Sequence, residues 1–250
     1  MLWNKAGLPV TTEDKEWVEE ALLFLIDNFG KEYFMSLETV LPNKRYYDHT
    51  FTGTEEDAFF VLNQTKIYMN VEEEILLKFF SHSPVEMADG NLLTTPSDNI
   101  HGSWDSAVGT YEYDSIKPAI LIERNQLKDT QSLIAIIAYE LSYHINLGEG
   151  YPEEEDGYIT ELATIAYGFG IFMGNSRFTS NTFATVNGSG WQTSSKGYLP
   201  EQMIAYAMAW LSVHRNEEPV WKDMLSADML KYFNQSLRYI VKHPEKIRFE

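Results

Sequence analysis

Tyr139, Glu140, Tyr143 and His144, with Glu161 further on, come nearest to chemistry in this chain. They lie in an apolar run, 134–144, with helical spacing. On a helix, residues i and i+4 share a face, and two ligands so spaced can reach one metal ion. Tyr139 and Tyr143 form one such pair, and Glu140 and His144 another. Phenol, with a reference pKa near 10, is a poor replacement for imidazole at zinc. No metal is therefore expected on Tyr139 and Tyr143. Three readings stay open. The tyrosines are core aromatics, hydrogen-bonded through their hydroxyls to Glu140, Glu161 or water. Alternatively Glu140, His144 and Glu161 form a displaced ligand set. In the third, Tyr and Glu bind a small ligand or do acid–base work without metal.

The rest of the chain offers less. His49, His82, His101, His214 and His243 are isolated, with no pair at ligand spacing. Gly102-Ser103 and Asn187-Gly188-Ser189-Gly190 lack the strand and helix that flank a phosphate loop. No strand-turn-helix serine motif and no Ser/His/Asp set stands out.

These residues need elements to position them. Thr11 and Thr12 precede an amphipathic helix over 12–29, with Trp17, Ala21, Phe24 and Leu25 at helical spacing and Gly30 closing it. Thr54-x-x-Asp57 opens a second helix through Met69. Residues 34–41 read equally as strand or short helix. Residues 73–81 read as a strand, and 107–113 with 119–123 as a hairpin. Asp129 and Thr130 offer caps to a long helix over 131–146. Another helix covers 159–174, residues 174–197 read as irregular, Pro200 opens a helix to His214, and Ser226 caps a last helix through Val241. The expected fold is α+β, mainly helical, with a small central sheet or hairpin, in a single domain 1–250.

On Ala138-Tyr139-Glu140-Leu141-Ser142-Tyr143, the acidic stretch Glu153-Glu154-Glu155-Asp156, Ile159-Thr160-Glu161-Leu162 and Gly168-Phe169-Gly170-Ile171-Phe172, the chain resembles bacterial zincin-like proteins of uncharacterised function. Their core reads A-H-E-L-(A/S)-H, an acidic loop, L-T-D-L and G-x-G-I-F. Gly197-Tyr198-Leu199, Ala205-Tyr206-Ala207-Met208-Ala209 and Ala107-Val108-Gly109-Thr110-Tyr111 are similar to further stretches of that family. The resemblance implies a zincin-like core over approximately 107–210 with flanking helices. In the family motif two His hold Zn²⁺ and the Glu polarises its water. Here both histidine positions are tyrosine, Tyr139 and Tyr143. Only Glu140 remains, and Glu161 stands for Asp. The resemblance therefore implies a degenerate site without catalytic residues, and no cofactor is expected. It also implies that the 131–146 and 159–174 helices pack together with Glu140 and Glu161 in one cleft.

Composition points the same way. Lys+Arg 19 against Asp+Glu 37 gives a formal charge of −18. That field repels phosphate backbones, so no nucleic-acid partner is expected, whereas a basic protein is attracted. The chain has no cysteine, which excludes disulfides and thiolate zinc sites. Its start has no basic and apolar signal pattern, and its longest apolar stretch is too short for a bilayer. The expectation is a cytoplasmic, soluble protein with no membrane partner. It acts by binding a basic partner, as an immunity or inhibitor protein that neutralises a toxin enzyme such as a nuclease. The densest acidic run, Glu149, Glu153, Glu154, Glu155 and Asp156, is the expected partner surface. The alternative is an active hydrolase using Glu140, His144 and Glu161, or a metal-free mechanism.

Overall fold

In the computed structural model the described backbone covers residues 7–81, 85–86, 92–93, 109–114, 117–148, 157–176, 178–185, 188–195 and 197–249. The fold is α+β and mainly helical. The chain divides into two compact units. The first holds 1–46, 158–175 and 199–250, and the second 47–157 and 176–198.

The first unit is built on helix α7 (Glu201–His214), in which every residue from Met203 to Ser212 is buried. A helix apolar on all sides has to be covered on all sides. Its neighbours are α1 (Thr12–Phe29), α6 (Gly170–Asn175) and α8 (Ala227–Lys242). The α1 start is capped as the sequence suggests, with the Thr11 hydroxyl accepting from Asp14 N–H. Ser226 likewise caps α8. Beyond Gly30, the ambiguous stretch resolves into a short helix, α2 (Lys31–Ser36), followed by extended chain.

The helix expected over 159–174 is interrupted. Helix α5 (Gly157–Thr164) runs into a π-turn (Ile165–Phe169), and α6 follows. Gly168 sits in the turn with φ 102°, where a side chain is disfavoured. A Cβ there would lie 2.4 Å from the Glu38 carbonyl oxygen. The same close approach lets Val40 N–H donate to Gly168 O at 2.9 Å. Arg215 braces this corner: its Nε donates to Phe34 O at 2.8 Å and its Nη2 to Ala166 O at 2.5 Å. Burial lowers its pKa to about 10, with the Glu217 charge acting the other way.

In the second unit, strand β5 (Lys117–Glu123) lies between β1 (Leu76–Phe80), parallel to it, and β4 (Gly109–Asp114), antiparallel. Ala119, Ile120 and Ile122 of this central strand are buried. Helix α4 (Thr130–Gly148) packs on α3 (Glu55–Tyr68) and β4. A two-residue pairing, β2 (Val85–Glu86) with β3 (Leu92–Leu93), adds a second sheet. Residues 174–197, expected to be irregular, contain a long antiparallel pair, β6 (Phe178–Thr185) and β7 (Gly188–Ser195). The Ser, Asn and Gly content reads as loop. The interspersed Thr, Phe and Trp carry the strand preference that outweighs it.

Candidate functional site

Helix α4 begins where Asp129 caps it. Asp129 Oδ1 accepts from Gln131 N–H at 3.1 Å and Ser132 N–H at 3.2 Å, and Oδ2 from the Ser132 hydroxyl at 2.7 Å. The apolar run Leu133 to Ala138 is buried throughout, which fixes the turn that follows. Tyr139 is 3% exposed and Glu140 4%. Tyr143 and His144 are half-buried. All four take part in interactions within the protein. The His144 Nε2 lies 3.9 Å from Glu73 Oε2. Burial lowers the His144 pKa, Glu73 opposing and Lys66 reinforcing the shift.

Glu161 is wholly buried on α5, and its Oε2 accepts from Leu199 N–H at 2.6 Å. It thereby anchors the chain just before Pro200 and α7. Glu140 belongs to the second unit and Glu161 to the first. Among the described residues, no group of three His, Asp or Glu side chains could hold a metal ion. Glu149, Glu153, Glu154, Glu155 and Asp156, the expected partner surface, lie outside the described residues.

Two other places draw functional groups together. The first is the α1 face turned away from the core. At 100° per residue, Glu13, Glu16, Glu20, Phe24 and Asp27 fall within about 80° of arc. All five are exposed. The sequence places Phe24 with the core residues Ala21 and Leu25, but it is 46% exposed. Trp17, half-buried beside this stripe, meets the ring of Tyr158 edge-on at 6.1 Å, and Tyr158 is 42% exposed. The lone cation of α1, Lys15, is buried against Glu19 at 2.8 Å. Glu19 also accepts from the Tyr206 hydroxyl at 2.5 Å. Burial, and then this bond to a carboxylate, push the Tyr206 pKa far up. Glu20 pairs with Arg248. The face thus presents three aromatic rings beside four carboxylates.

The second place is the start of α3. Asp57 is buried, and its Oδ2 accepts from Thr52, Gly53 and Thr54 N–H at 2.8, 2.7 and 3.0 Å. Its Oδ1 is 2.7 Å from His49 Nε2. Burial works to raise the Asp57 pKa. The three backbone donors and His49 outweigh it and hold the carboxyl at about 2. The sequence shows the Thr54-x-x-Asp57 cap but gives no sign of its partner eight residues upstream. His49 is stacked on Phe60 at 4.4 Å and meets Phe51 edge-on at 5.0 Å.

Comparison of the chain with protein-family models, curated proteins and solved structures finds no match. No helix among the described residues is long and apolar enough to cross a membrane.

Proposed function

We propose that this protein works by binding a basic protein, as an inhibitor or immunity-type protein that neutralises a toxin enzyme such as a nuclease. The observation that carries the reading is the outer face of α1. Aromatic anchors inside a polar rim are the anatomy of a protein interface, and a rim of one sign selects a partner of the other. Trp17, Phe24 and Tyr158 supply the anchors, and Glu13, Glu16 and Asp27 supply the charge, Glu20 being paired with Arg248. The stripe from Glu13 to Asp27 is about 21 Å long at 1.5 Å per residue, most of the length of α1. A net charge of −18 adds a long-range field that speeds the approach of a cationic partner.

Within this proposal the scaffold is a degenerate zincin-like one. Tyr139 and Tyr143 occupy the ligand positions, and Glu161 serves the backbone at Leu199. The acidic run from Glu149 to Asp156 belongs to the same negative field. The compartment proposed is the cytoplasm.

The test is calorimetry against the product of a neighbouring gene, at about 50 and about 500 mM salt, where the screening length falls from well above 10 Å to about 4 Å. The reading expects binding that weakens steeply with salt. Binding that is absent, or indifferent to salt, contradicts it.

A further inference from the structure

We propose that the second unit carries a metal-free acid–base site, in which His49 is the general base, Asp57 orients it, and the substrate is a small, apolar, activated acyl ester. The proposal is independent of the α1 face, which lies in the other unit.

The argument starts from the Asp57 carboxylate. Held ionised by three backbone N–H groups, it can only accept. The His49 Nε2 bonded to it must therefore be the protonated nitrogen. The lone pair then sits on Nδ1, which has no partner among the described residues. The His49 side chain is 30% exposed, so solvent reaches it. Phe60 and Phe51 fix the plane of the ring from the face and the edge. A base held in one tautomer, oriented by a buried carboxylate and open at the other nitrogen, is what proton abstraction from water requires. The carboxylate also stabilises the imidazolium that forms. The rings of Phe51 and Phe60 border the imidazole with apolar surface, which suits a short acyl group and an aromatic leaving group.

In the reaction, Nδ1 takes a proton from water as the water oxygen bonds to the acyl carbon. The tetrahedral intermediate then breaks its bond to the leaving oxygen, which recovers the proton from His49. The products are a carboxylic acid and an alcohol or phenol, and nothing is oxidised or reduced.

The test uses the full chain and p-nitrophenyl acetate. The expected rate per site is at least about tenfold above that of free imidazole at equal concentration, a small part of the roughly 10²–10⁴-fold that a positioned general base contributes. His49→Gln keeps an amide donor for Asp57 and should remove most of that excess. Asp57→Asn should lower kcat and shift its pH profile while leaving KM near the parent value. A parent no faster than imidazole, or a His49→Gln variant equal to the parent, overturns the proposal. Mass-spectrometric mapping with diethyl pyrocarbonate gives a second readout on the parent protein, which needs neither activity nor a variant that folds. His49 should be among the first histidines modified, and an unmodified His49 beside modified neighbours contradicts an open Nδ1.

Discussion

Replacing Gly168 by Ala should loosen the first unit by an amount that can be assembled from its geometry. At φ 102° an L-residue carries a strain of about 1–2 kcal/mol. The added Cβ would stand 2.4 Å from Glu38 O, a backbone atom that cannot swing aside as a side chain can. Moving that segment weakens the bond from Val40 N–H to Gly168 O, worth about 1 kcal/mol. The lower entropy of the unfolded alanine chain returns about 0.4–1 kcal/mol. The net expectation is about 1–3 kcal/mol, a substantial share of the 5–15 kcal/mol typical of a domain. Gly170→Ala is the control. Its backbone is helical, and its Cβ would meet the flexible Met208 side chain at 2.8 Å. There the helix preference of alanine, about 1 kcal/mol, offsets the crowding. Urea unfolding followed by tryptophan fluorescence reads both, with hydrogen exchange at the Val40 amide as a local probe. Equal midpoints for Gly168→Ala and the parent would refute the reasoning.

Tyr206→Phe removes the hydroxyl that serves the buried Glu19 carboxylate, and should cost about 1.5–3 kcal/mol in chemical unfolding. Asp57 has its pKa depressed from 3.8 to about 2, so its contribution is complete above pH 4 and lost as the pH falls through about 2. Asp57→Asn should therefore be less stable than the parent at neutral pH, with the gap narrowing over pH 4 to 2 in acid titrations. The double replacement Tyr139→His with Tyr143→His should raise zinc affinity if the α4 backbone is zincin-like. A folded double variant that binds no more zinc than the parent removes that part of the proposal.

Much of the helical framework was legible because its signals are local. The caps at Thr11, Asp129 and Ser226 and the apolar spacing of α1, α4 and α7 act within a few residues. What was illegible depends on distant partners. The break at Gly168 follows from Glu38 and Val40, about 130 residues away, pressing on the turn. Glu161 is a third ligand only through the zincin-like resemblance, and the bond that its Oε2 accepts from the Leu199 amide, 38 residues on, leaves no local sign. Phe24 is grouped with the core residues Ala21 and Leu25 by its apolar type, but at 100° per residue it falls on the arc of Glu13, Glu20 and Asp27, and it is 46% exposed, so here the helix period alone carries the answer. His49 looked isolated because pairing with Asp57 requires the 50–54 turn to fold back on α3.

The central claim is that the outer face of α1 receives a basic protein. Its most direct test is stopped-flow association of the neighbouring-gene partner with two variants, one carrying Glu13→Gln, Glu16→Gln and Asp27→Asn, the other Phe24→Ala. These side chains are exposed, so folding should change little. The charge variant should associate more slowly at low salt and lose part of its salt dependence, because rim charges act on the on-rate. Phe24→Ala should leave the on-rate near that of the parent and speed dissociation by about tenfold or more, as loss of an aromatic anchor does. Rates identical to the parent for both variants would contradict the claim.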